Sequence, residues 1–113
     1  MGSTAVAKIL GRLKDEGGLQ GRDIANIVSA SPPTVSRWLK GKASPDIKTQ
    51  TKIAQLGYLV DRLSEFYTAE ETRLWLHTPH PMLGGKRAID VLNDNKMEDV
   101  LAVIESMDAG AYT

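Results

Sequence analysis

Apolar residues at Ile53, Leu56, Val60, Leu63 and Tyr67 recur at intervals of three and four. That is the period of one face of an α-helix and is incompatible with the alternation of a half-buried strand. The same period runs through Val6, Ile9, Leu10 and Leu13, through Ile24, Ala25 and Val28, and through Val100, Leu101, Val103, Ile104 and Met107. Between these stripes stand chain breakers: Gly17 and Gly18, Pro32 and Pro33, Pro79 and Pro81, Gly84 and Gly85. The chain is therefore expected to be all-α. Helices are expected over 4–14, 22–28, a short run after Ser31, 45–66, a short one opening at Thr68, another ending at Leu92, and 97–109. The remaining residues, Ala111, Tyr112 and Thr113, form a tail beyond Gly110.

In 113 residues, 42% of them hydrophobic, the chain can bury one modest core, or two small cores that share a long element. The helix opened by Ser44 and Pro45 is that element, roughly 33 Å long at about 1.5 Å per residue. Its apolar stripe is either core or a seam for self-association. Gly57 either weakens this helix by about 1 kcal/mol relative to Ala or lets a neighbour approach closely.

Ser31 is placed to cap the run "PPTVSRWLKG", with Pro32 and Pro33 in the first turn, where no intrahelical donor is required. Pro33 cannot donate, so the Ser31 hydroxyl must accept from the backbone N–H of Thr34. Val35, Trp38 and Leu39 then share one side, while Ser36, Arg37 and Lys40 point away. The zero net charge conceals a split: up to Gln55 nine Lys and Arg stand against four acids, and from Leu56 onward five stand against ten. A basic first half and an acidic second half suggest a nucleic-acid module joined to a part with another partner.

"GRDIANIVSASPPTVSRWLKG", Gly21 to Gly41, resembles the helix-turn-helix of Xre-type and lambda-repressor-like regulators. Ser29 stands where that turn often carries Gly. The resemblance places operator DNA against Ser31, Thr34, Ser36, Arg37 and Lys40, with Lys42 and Lys48 on the flanking phosphates.

"TAEETRLWLHTPHPMLGGKRAIDVL", Thr68 to Leu92, opens with a Thr68/Glu71 capping box and presents Leu74, Trp75 and Leu76, then Met82 and Leu83 as a further apolar contact. Trp75, Leu76, Thr78, Pro79, His80, Leu83, Gly85, Ile89 and Asp90 resemble the C-terminal toxin-binding domain shared by Xre, MbcA and ParS antitoxins. Ala88 stands where that family commonly has Pro. The resemblance covers Thr68 to about Gly110 and, with the upstream motif, follows the family's domain order: a helix-turn-helix bundle over 1–50, a connecting helix over 51–67, and a small helical toxin-binding domain with a C-terminal tail over 68–113.

The resemblance implies an antitoxin that binds a RES-domain toxin, an NAD-consuming enzyme, and that also binds its own operator, as a homodimer within a larger complex. Trp75, His80, Leu83 and Gly85 are the implied toxin contacts on the folded part. In the resembling family the C-terminal segment lies against the toxin, and the tail residues Asp108, Ala109, Gly110, Ala111, Tyr112 and Thr113 are expected to plug the toxin's NAD pocket, the other reading of them being a frayed terminus. The other reading of the same residues is a stand-alone dimeric repressor whose C-terminal part only dimerises.

Several classes are excluded on chemistry. The chain has no Cys, which removes disulfides and thiolate metal sites. His77 and His80 lack a third ligand at helical spacing, so neither a metal nor a cofactor is expected. Gly84-Gly85-Lys86 lacks the rest of a phosphate loop, and no Ser or Lys has a base partner, so no catalytic residue is expected. No apolar run reaches the roughly 20 residues of a membrane span, and the chain is expected in the cytoplasm.

Overall fold

The computed structural model describes residues 2–110, with side chains over 5–107. Seven helices follow in order: α1 (Gly2–Asp15), α2 (Gly21–Val28), α3 (Pro32–Leu39), α4 (Ile47–Ser64), α5 (Ala69–Leu76), α6 (Ala88–Asn93) and α7 (Met97–Gly110). Between α5 and α6 lies a miniature antiparallel ribbon, β1 (Pro79–His80) and β2 (Lys86–Arg87), closed by a single 3-10 turn over Pro81–Leu83. The pairing sets Pro79 opposite Arg87 and His80 opposite Lys86. The class is all-α, as expected. The ribbon adds to that expectation, because two-residue strands carry no period; its signal in the residues is Gly84 and Gly85, whose φ angles are +66° and +81°.

The stripes of the first helices close on one another. Leu10, Leu13, Ile24, Val35, Ile53, Leu56 and Leu63 are fully buried, in a cluster that continues without interruption through Trp75, Leu76, Ile89, Leu92, Val100 and Ile104. The stripe of α4 is core rather than a seam. Its buried side carries Ile53, Leu56, Leu59, Val60 and Leu63. Helix α4 starts later than expected: the cap is Asp46, not Ser44, because the Asp46 carboxylate reaches the backbone N–H of Thr49 at 2.8 Å. The eighteen residues make it roughly 27 Å long.

The two readings of Gly57 resolve in favour of close approach. A Cβ there would lie 2.9 Å from Ile9 Cγ2 on α1, and an Arg12–Asp61 ion pair ties the same two helices. Gly17 and Gly18 do more than end α1. An added Cβ at Gly17 would fall 2.7 Å from the carbonyl of Leu13, and one at Gly18 would fall 2.8 Å from Arg73 Cβ. The turn before α2 is thereby pressed against α5.

Thr72, on the inner side of α5, is fully buried and its hydroxyl has no hydrogen-bond partner. A buried, unpaired hydroxyl costs about 1–3 kcal/mol. Thr72→Val keeps the shape and removes the orphan. It is expected to raise stability by about 1 kcal/mol, or roughly 4–8 °C in Tm; a lower melting temperature in calorimetry would show that the hydroxyl is satisfied.

Candidate functional site

The N-terminal candidates lie on α3 and the turns around it. Ser31 caps α3 as expected, its Oγ accepting from Thr34 N–H at 3.3 Å and lying 2.8 Å from Thr34 Oγ1. Val35 and Trp38 are buried against the core. Arg37, Lys40 and Lys42 are exposed, as is Lys48 in the first turn of α4, while Thr34 and Ser36 are half-buried. The chain turns into α3 through Ser29, at φ +60°, where the resembling motif often has Gly. The strain is met by a backbone bond, Ala30 N–H to the carbonyl of Ala25 at 2.8 Å.

The C-terminal candidates are built around α5. The Thr68/Glu71 capping box is formed in both directions, at 2.9 and 3.2 Å. Thr72, Trp75 and Leu76 form the buried side of the helix. The chain then reverses over the Trp75 ring. His80 stacks on it with ring centroids 4.4 Å apart, and its Nε2–H donates to the carbonyl of Trp75 at 3.0 Å. A carbonyl only accepts, so this nitrogen carries the proton. Thr78 Oγ1 donates to the carbonyl of Leu74 at 2.7 Å, and His77 Nδ1–H to that of Arg73 at 2.8 Å.

At the start of α6, Arg87 grips Asp90 through two bonds of 2.8 and 2.9 Å. The Arg87 guanidinium, by hydrogen bond first and charge second, holds the Asp90 carboxyl below the usual carboxylate range, against an opposing effect of burial. Ala88, where the resembling family favours Pro, is fully buried at the first position of that helix.

Of the four folded residues singled out for toxin contact, Trp75 is buried, Leu83 and His80 are half-buried, and Gly85 is exposed with open space around it. Met82 departs from the expected apolar contact: it is 63% exposed, because the 3-10 turn points it outward while Leu83 packs on the core. Helix α7 runs through Gly110, one residue beyond the expected stop, so Asp108, Ala109 and Gly110 belong to its last turn. Ala111, Tyr112 and Thr113 lie outside the described residues.

The residue that sequence reasoning missed as a contact is Leu74, 69% exposed. It separates a hollow of about 250 Å³, lined by Tyr67, Glu71, Trp75, Thr78 and His80, from one of about 520 Å³, lined by Glu70, Glu71, Arg73 and His77. The available signal was phase: with Trp75 and Leu76 inward, an apolar residue immediately before them must point out.

Over residues 65–110 the chain matches the model of the Xre/MbcA/ParS antitoxin C-terminal toxin-binding domain. It is 34% identical over 90 residues to the probable mycobacterial cidal antitoxin Rv3188 of Mycobacterium tuberculosis, across 80% of this chain and 76% of that protein. The chain belongs to the Xre/MbcA/ParS antitoxin family. Its role is that of an antitoxin, not an enzyme. The mycobacterial cidal antitoxin MbcA of M. tuberculosis and M. bovis is 28% identical over 112 residues, 99% of each chain. In the crystal structure of the M. tuberculosis MbcT–MbcA toxin–antitoxin complex, a chain of 27% identity superposes with a TM-score of 0.78, covering 95% of this chain and 96% of that one. Among the described residues of the antitoxin there is no group of three or more His, Cys, Asp or Glu able to hold a metal ion, and no helix long and apolar enough to cross a membrane.

Proposed function

We propose that this antitoxin neutralises a RES-domain, NAD-consuming toxin through its C-terminal half and represses its own operon through α3. The observation that carries the toxin reading is the likeness, over nearly the whole chain, to a chain of a crystallised toxin–antitoxin complex. The docking surface is the outer side of α5, with Leu74 as its anchor between two hollows and Trp75 and His80 forming the floor beneath one of them. Exposed apolar residues beside ready-made hollows are the usual sites of interface energy. Leu83 and Gly85 extend this surface along the ribbon. The C-terminal residues from Asp108 to Thr113 supply the block. Tyr112 offers an aromatic ring in place of a cofactor base.

Co-expression with the product of the neighbouring gene tests both parts. Leu74→Asp is expected to abolish capture of the toxin while leaving Tm within about 4 °C, since exposed substitutions cost little. Deleting Ala109–Thr113 is expected to leave capture intact and restore NAD loss. A truncated antitoxin that still protects NAD fully would move the block to the folded surface around Trp75 to Asp90.

For DNA, Ser31, Thr34, Ser36, Arg37 and Lys40 face the operator, and Lys42 and Lys48 hold flanking phosphates. Arg37→Ala with Lys40→Ala is expected to weaken operator binding and reduce the slope of log K against log salt by about 1–2, because a phosphate that no cation neutralises keeps its condensed counterion. An unchanged salt titration in gel shift would remove α3 from the DNA.

A further inference from the structure

The two hollows that flank Leu74 differ in charge. The larger is lined by Arg73 and His77 as well as Glu70 and Glu71, and so holds a cation of this chain. The smaller, of about 250 Å³, is lined by Tyr67, Glu71, Leu74, Trp75, Thr78 and His80. With His80 neutral, its one formal charge is the Glu71 carboxylate. Two of the donors around it are already spent on the chain's own backbone. The Thr78 hydroxyl donates to the carbonyl of Leu74 at 2.7 Å, and His80 Nε2–H donates to that of Trp75 at 3.0 Å. What remains on these groups is acceptor capacity: the lone pairs of Thr78 Oγ1 and, in the neutral ring, His80 Nδ1. Glu71 Oε1 accepts from Thr68 N–H at 2.9 Å, which leaves Oε2 without a partner among the described residues. Against these acceptors stand the Tyr67 hydroxyl, which both donates and accepts, and the Trp75 indole N–H.

We propose that this smaller hollow receives an arginine side chain of the toxin. The inference rests on the toxin reading above and names the group that the partner brings to that surface. An anionic group is opposed by Glu71. An apolar side chain would cover the Glu71, Thr78 and His80 acceptors and leave them without donors. A guanidinium meets both needs: its fork of N–H donors serves the carboxylate and the neighbouring acceptors, and its flat face packs on the aromatic rings that line the site. An ammonium is a point charge with no flat face, so Arg is favoured over Lys. The volume lies below the roughly 300–1,000 Å³ of pockets that enclose whole small molecules, and suits one long side chain. The surrounding charge agrees. Glu70 stands beside Glu71 in the first turn of α5, and from Leu56 onward ten acids stand against five Lys and Arg, a field that steers a basic face of the partner towards this side. Leu74, on the rim, shields the pair from water once the toxin is seated.

Affinity of the full chain for the product of the neighbouring gene, read by biolayer interferometry over a range of salt, tests the assignment. Glu71→Gln is expected to raise Kd about tenfold or more and to flatten its salt dependence. Gln serves at the third position of a capping box as Glu does, so Tm is expected to hold. Glu105→Gln removes the same charge from α7 and is expected to change Kd by less than about twofold. Each exposed arginine of the toxin is then changed to Ala. One of these changes is expected to cost as much as Glu71→Gln and to add little to it in the double variant, and Lys at that position to recover only part of the loss. Native antitoxin that captures the toxin, with Glu71→Gln within about twofold of it, overturns the inference and leaves the toxin reading standing. So do equal losses for Glu71→Gln and Glu105→Gln, or a toxin in which no arginine is coupled to Glu71. Native antitoxin that captures no toxin overturns both.

Discussion

Trp75→Ala is expected to destabilise the fold by about 3–5 kcal/mol, the usual cost of deleting a buried aromatic ring. Trp75 is 8% exposed, and its removal acts twice. It opens a cavity between α5 and the rest of the core, and it takes away the platform on which the His80 ring lies 4.4 Å away, so the chain reversal into the ribbon loses its support. The melting temperature is expected to drop by more than about 10 °C. Trp75→Phe, which keeps a ring in the same place, is expected to recover most of the loss. A Tm for Trp75→Ala equal to that of the native chain would put the ring at the partner interface instead of in the core.

Gly18→Ala is expected to cost nearly as much, about 2–5 kcal/mol, from a single methyl group, as the sum of two effects. The backbone sits at φ +63°, which costs an L-residue roughly 1–2 kcal/mol. The new Cβ would also meet Arg73 Cβ at 2.8 Å and the carbonyl of Ala69 at 3.3 Å, an overpacking of roughly 1–3 kcal/mol, because both atoms belong to the α5 backbone or its first carbon and cannot swing away. Gly84→Ala provides the comparison. Its φ is +66°, yet nothing lies within 4 Å of its added Cβ, so it suffers the backbone strain alone, about 1–2 kcal/mol. Equal losses for the two variants in chemical denaturation would mean that the turn before α2 does not press on α5.

The same glycine marks the boundary between what was legible in the residues and what was not. Gly17-Gly18 could be read as the end of α1, since positive φ is a local property. That it is also the joint between the N-terminal helices and α5 depends on where Arg73 arrives, more than fifty residues later in the chain. Local chemistry in general was readable: the Ser31 cap, the Thr68/Glu71 box, the prolines in the first turn of α3 and the glycine turn of the ribbon all act within a few neighbouring residues. Ser44 failed as a cap for the same local reason, because Asp46 offers a charged acceptor nearer to the N–H groups that need one.

The amino-acid sequence by itself determined the helical class, the order of elements and the family, because hydrophobic period and short turn motifs are carried by neighbouring residues. The tertiary structure alone decided which side of each helix is spare. The stripe Ile53 to Tyr67 is equally suited to a core or a seam until α1 and α7 are placed against it; once they are, it is core, and Ile47, Thr51, Ala54 and Tyr58 are left outside. Leu74 is apolar in sequence and exposed in space for the same reason. Burial is a property of what packs opposite a residue, and that is settled by contacts distant in the chain.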